Sequence, residues 1–127
     1  MRIRTALAIT CLLAAPAAAQ TPVRVSGVYT PLGYCQITSL VLAVALVSAS
    51  CSTGAVPAGA TIIEVCVETA EVRYRDDGTA PTTSLGMPVA PLSSTVPFCY
   101  QYAATPLSQL QFIAVSGSPV LDVLFYK

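Results

Sequence analysis

Apolar and polar residues alternate in short runs from Tyr34 to the C-terminus, and each run stops at turn-forming residues. Such runs predict β-strands over residues 34–39, 43–47, 61–68, 70–75, 96–102, 109–115 and 120–126. The breakers between them are residues 53–54, 57–59, 76–78 and 88–91, Pro106, and residues 116–119. Nine of the ten prolines follow residue 19 and are spread so that no long helix fits between them. Only the Ala- and Leu-rich stretch around Ala43 would also accept a short helix. About seven short strands at this spacing predict an all-β chain, a single antiparallel β-sandwich of jelly-roll or immunoglobulin-like type.

Strand parity adds an interruption to this picture. Ile63, Val65 and Val67 share one strand face, with Glu64, Cys66 and Glu68 opposite. Further on, Val72 and Tyr74 are the apolar set, while Glu71, Arg73 and Arg75 are polar. One uninterrupted strand cannot exchange its faces, because a single residue of slip inverts them all. A bulge or tight turn is therefore expected within residues 68–70. In the last strand, Leu121, Val123 and Phe125 form the expected core face.

At 127 residues the chain can build one domain. Charged residues make up only 9% and hydrophobic ones 54%, where about 25% charged is usual. So little charge implies a processed segment, a protein interface, or both. The formal net charge is zero, which leaves no basic footprint for nucleic acid. There is no histidine, so the commonest general base and metal ligand is missing. Ser-His-Asp and Cys-His catalysis are excluded. The apolar run at residues 40–47 is far shorter than the about 20 residues of a membrane-spanning helix, and no span is expected.

Residues 1–19 carry the pattern of a secretory signal peptide. Arg2 and Arg4 precede an apolar run, and Ala17-Ala18-Ala19 supplies a small-residue cleavage site before Gln20. Residues 20–28 are then a lead-in and residues 29–127 the sandwich domain. Export would place Cys35, Cys51, Cys66 and Cys99 in an oxidising compartment, where at least one disulfide is expected and three pairings are open. The alternative is that these small thiols simply fill the core. None of the four lies at the C-x₂₋₄-C spacing of zinc modules, so no metal site is expected.

Several segments resemble a family of small proteins found among the structural genes of tailed bacteriophages. They are "LGYCQITSL" (32–40), "VPAGAT" (56–61), "VRYRDDGTAPTTSLGMP" (72–88), "LQFIAVSG" (110–117) and the closing "FYK" (125–127). Order and approximate spacing agree from about Tyr29 onward, and residues 72–88 are the most specific piece. The resemblance implies a non-enzymatic β-sandwich of the virion, such as a head-decoration, fibre or accessory capsid protein. It implies protein partners, either further copies or capsid-like subunits. A virion location by resemblance and a periplasmic or extracellular one by signal peptide stand as competing expectations. A secreted, disulfide-containing β-sandwich that binds a partner is the alternative function.

The residues themselves suggest no catalytic group, no cofactor and no small-molecule substrate. Asp76-Asp77-Gly78 lacks the spacing and the downstream glutamate of a calcium loop and reads as a turn. Adjacent carboxylates on such a turn are not held across a cleft as glycosidase acids are. The Ser93-Ser94-Thr95 and Thr82-Thr83-Ser84 clusters have no base to activate a nucleophile. Tyr74, Tyr100, Tyr102 and Tyr126 could stack on sugars, but tyrosine is also ordinary strand composition. Arg73 and Arg75 share a strand face beside Asp76 and Asp77, with Pro81 and Thr82 in the following loop. These six residues form the candidate subunit contact, because guanidinium forks suit carbonyl and carboxylate acceptors on a partner. The competing reading is a local brace that pins the loop to its own sheet.

Overall fold

A computed structural model describes residues 29–103 and 106–127. The expected signal (1–19) and lead-in (20–28) lie outside the described residues. Among the described residues nine strands run in chain order: β1 (Pro31–Ile37), β2 (Val44–Ala45), β3 (Thr53–Gly54), β4 (Ile62–Glu68), β5 (Val72–Arg75), β6 (Met87–Val89), β7 (Phe98–Ala103), β8 (Gln111–Ala114) and β9 (Val120–Tyr126). They form two antiparallel sheets, ordered β3-β1-β9-β4-β7 and β2-β8-β5-β6. The chain is an all-β sandwich.

The inner faces follow the period-two pattern. Cys35 and Ile37 of β1, Ile63, Val65 and Val67 of β4, and Leu121, Val123 and Phe125 of β9 are fully buried. From the other sheet Val72 and Phe112 meet them, and Leu40, Leu46, Leu107 and Leu110, outside the strands, belong to the same core cluster. The phase change between residues 67 and 72 is a sheet-to-sheet corner. Thr69 takes a positive φ of 69°, the Ala70 amide donates to the Glu68 carbonyl at 2.9 Å, and β5 then continues in the opposite sheet. Each strand keeps its own parity, and the corner absorbs the slip.

Three expectations need correction. The strand at residues 43–47 shrinks to Val44–Ala45, because residues 48–50 wind into a 3₁₀ turn. Residues 53–54, expected as a breaker, pair with Cys35 and Gln36 as β3. Gly54 permits this at a φ of +83°, since a Cβ there would lie 2.0 Å from the Tyr34 carbonyl oxygen. Pro88, also expected as a breaker, sits within β6 opposite Arg73. It is tolerated because β6 is an edge strand, where a missing N–H can face away from the ladder.

Two disulfides are present among the described residues. Cys35–Cys51 joins β1 to the segment entering β3, with Cα atoms 5.4 Å apart. Cys66–Cys99 joins directly opposed residues of β4 and β7, with Cα atoms 4.0 Å apart. The first pair has a sulfur in the core, whereas the second lies on the outer face of the five-stranded sheet, with Cys99 exposed.

Candidate functional site

The β5–β6 hairpin gathers all six candidate contact residues. Arg73 projects from β5 across its own loop: Nε donates to the Thr83 carbonyl at 3.1 Å and Nη1 to the Gly86 carbonyl at 3.0 Å. Its Nη2 lies 3.7 Å from a Glu71 carboxylate oxygen. The loop comes this close because residue 86 is glycine, at a φ of +131°; a Cβ would stand 3.0 Å from the Tyr74 carbonyl oxygen. Thr82 closes a turn, accepting at Oγ1 from the Leu85 amide (3.0 Å) while its own amide donates to the Leu85 carbonyl (2.9 Å). Pro81 is buried beneath it.

Arg75 turns to Asp77, donating from Nε at 3.2 Å and from Nη2 at 2.5 Å. That pairing, helped by the Thr79 amide, holds the Asp77 carboxyl down at about 2. Gly78 has the positive φ expected of the turn, 78°. Its amide donates to the Gln109 carbonyl, and its carbonyl accepts from Gln111 Nε2 at 2.8 Å. Asp76 accepts from the Tyr102 hydroxyl of β7. The hairpin is thus braced to both sheets, with its guanidinium groups engaged on its own loop. Beside it lies an open depression of about 390 Å³ lined by Tyr74, Arg75, Asp76, Asp77, Leu85 and Met87.

Arg73→Ala is expected to cost about 2 kcal/mol, because two charge-assisted bonds to carbonyls are lost and the loop loses its strap. Arg75→Ala, on an exposed pair, is expected to leave the urea midpoint near that of the parent chain. Equal losses from the two substitutions would contradict this division of roles.

The tyrosines separate by environment. Tyr74 stacks on Tyr100 at 5.9 Å, meets Tyr102 edge-on at 5.9 Å and touches Phe112 at 6.1 Å; Phe98 stacks on Tyr100 at 6.4 Å. Their ring faces are used on one another between the sheets, while Tyr126 lies apart against Tyr29. Burial pushes the Tyr100 phenol well up, and its hydroxyl has no partner among the described residues. On the outer face Tyr34 donates to Asp122, which Gln36 also contacts at 2.9 Å.

Hydrogen bonds to Asp122 and Asp76 raise the Tyr34 and Tyr102 phenols from 10.0 to about 12. A phenol with a raised folded value stabilises the fold fully below the unfolded value and loses that contribution as pH rises through the folded one. Absorbance titration of the folded protein is therefore expected to show a class of tyrosines ionising near pH 12. Asp122→Asn should return Tyr34 toward its ordinary value. A single class near pH 10 for all tyrosines would overturn it.

Possible chemistry elsewhere is sparse. The hydroxyl pairs Thr82–Ser84 and Ser93–Thr95 bond to each other at 3.3 Å and to nearby backbone. A second depression, about 450 Å³, is lined mainly by Leu46, Val56, Pro57 and Leu107; the Ser48 hydroxyl on its rim is occupied by the Val56 backbone. Glu64, Cys66 and Cys99 bring potential ligand atoms within 4.8 Å of one another. With both sulfurs in the bridge, no thiolate is left there to bind an ion.

One run of exposed apolar side chains was not anticipated. Leu85, Met87, Leu92, Val96 and Phe98 are five of the nine large exposed apolar side chains among the described residues, and they follow the chain from the hairpin through β6 into β7. The sequence signal for it is plain once placed on the fold: no residue from Gly78 to Leu121 carries a charge. No known family, curated protein or solved structure matches the chain.

Proposed function

We propose that this chain is a non-enzymatic assembly module that acts by protein–protein contact, of the kind implied by its resemblance to tailed-phage virion proteins. The observation that carries the reading is the exposed apolar side chains Leu85, Met87, Leu92, Val96 and Phe98, set in a run of chain without a single charge. Patches of this character on a small domain mark interaction surfaces. The braced hairpin borders this run: Arg73, Arg75, Asp76, Asp77, Pro81 and Thr82 hold the loop in one shape, so Leu85 and Met87 are presented with little ordering cost. Arg75 and Asp77 remain exposed enough to contribute a polar rim. Mass spectrometry of purified particles from a host carrying the gene should find the chain. Leu85→Ser with Met87→Ser should reduce its incorporation without unfolding it. Absence from particles, with the chain recovered elsewhere, would reject the virion setting.

The two disulfides favour a second reading, an exported binding sandwich, because such bridges persist in oxidising compartments. N-terminal sequencing of material from a Gram-negative host separates the two: a chain beginning at Gln20 in the periplasm supports export, and intact Met1 in the cytoplasm rejects it.

A further inference from the structure

Among the described residues the sandwich has four edge strands, and three of them are poor templates for pairing. β2 and β3 have two residues each, and β6 has three, with Pro88 in the middle. The fourth, β7, runs six residues from Phe98 to Ala103 and pairs with β4 in unbroken register. It has no charged residue, no bulge and no internal proline, the devices by which sheet edges are usually protected.

The hydrogen-bond phase shows which backbone groups lie open. The Thr61 amide donates to the Tyr126 carbonyl, so Tyr126, Leu124 and Asp122 turn their backbone groups toward β4. Their partners Ile62, Glu64 and Cys66 turn toward β9, leaving Ile63, Val65 and Val67 to bond β7 through Tyr102, Tyr100 and Phe98. The 4.0 Å Cα separation of Cys66 and Cys99 agrees, since a narrow pair is a non-hydrogen-bonded one. Cys99, Gln101 and Ala103 therefore aim their N–H and C=O groups outward. Among the described residues none of these groups has a partner. Their side chains, on the outer face, are exposed.

We infer that β7 pairs antiparallel with β7 of a second copy, about a two-fold axis at Gln101, making one sheet continuous across both copies. This rests on the reading of the chain as an assembly module and names its first partner. The register follows from symmetry: Gln101 faces Gln101, and Cys99 faces Ala103 in both directions, each pair exchanging N–H···O bonds both ways. On the inner face Tyr100 falls opposite Tyr102 of the second copy, an aromatic cross-strand pair. Nothing in the strand repels its copy, because it is uncharged. The Cys66–Cys99 bridge fixes the edge strand against slippage, and the bond from Gln101 Nε2 to Glu64 Oε2 at 3.3 Å holds the axis side chain flat on the sheet.

The test is sedimentation velocity of the intact chain over a concentration series, with hydrogen exchange read at single amides. A monomer–dimer equilibrium is expected, with the Cys99, Gln101 and Ala103 amides protected in the dimer alone. Gln101→Pro removes a donor that no intrachain acceptor uses, and should weaken dimerisation by about tenfold or more while leaving the melting temperature close to the parent's. Gln101→Glu, which sets like charges face to face at the axis beside Glu64, is the second variant should proline disturb β7, and its effect should shrink in high salt. A chain that stays monomeric throughout the series overturns the pairing, as does a dimer in which these amides exchange freely or which both variants leave intact. A monomer that still enters particles would sink the pairing and keep the assembly reading. A β7-paired dimer absent from particles would do the reverse.

Discussion

Phe112→Ala is expected to lower unfolding free energy by about 3–5 kcal/mol, the range for emptying a large aromatic site in a packed core. Phe112 is fully buried at the point where the two sheets face each other, paired across the ladder with Val44 and Tyr74. Its ring also packs on Tyr74, which in turn carries the stack of Tyr100 and Phe98. The cavity would therefore loosen the side from which β7 presents its edge. Phe98, 39% exposed at the end of the same stack, should cost about 1 kcal/mol or less when replaced by alanine. Urea unfolding of the two variants checks the contrast. If Phe98→Ala proves as costly as Phe112→Ala, the aromatic stack is core throughout and the exposed apolar side shrinks accordingly.

The fold was legible where side-chain alternation carries it. The shift of apolar parity between Val67 and Val72 predicted a bulge or tight turn, and the turn with its positive φ at Thr69 is there, where it also carries the chain into the opposite sheet. Leu121, Val123 and Phe125 were readable as a buried face for the same reason. What alternation could not show were β3 and β6, because Gly54 and Pro88 disfavour a strand in isolation. Both are edge strands, where the ladder asks for fewer bonds, and pairing with β1 and β5 outweighs local preference.

The hairpin was legible only in part. Placing Arg73 and Arg75 on one face needs nothing beyond strand geometry, but their partners could not be read. The carbonyls of Thr83 and Gly86 belong to the backbone and have no signature in residue type, and the loop's path over Arg73 depends on Gly86. Asp76 and Tyr102, 26 residues apart, meet only because β7 and the hairpin lie on the same side of the sandwich. The cysteine pairing was likewise open, since sequence spacing does not rank the three possibilities. The uncharged run from Gly78 to Leu121 is visible in the sequence, yet its meaning depends on β7 being a free edge.

Breaking either disulfide is expected to be the other large perturbation, and the two should differ in an instructive way. Chain entropy alone assigns about 3–4 kcal/mol to each closed loop, with the 33-residue separation of Cys66–Cys99 favoured over the 16 of Cys35–Cys51. Packing reverses the order. Cys35 is fully buried between the sheets, so Cys35→Ala with Cys51→Ala also forfeits core contacts that the chain-entropy account omits. Cys66 and Cys99 lie on the outer face, and serine can replace them there without burying a hydroxyl in the core. The Cys35/Cys51 double variant should therefore be the less stable in urea, despite its shorter loop. Accessibility also orders their reduction: a dithiol should open Cys66–Cys99 first, because Cys99 is exposed and Cys35 is not. Differential alkylation during a reduction time course would label Cys66 and Cys99 before Cys35 and Cys51. A less stable Cys66/Cys99 variant would mean that loop closure rather than core packing governs what these bridges contribute, and early labelling of Cys35 would mean that exposure does not order their reduction.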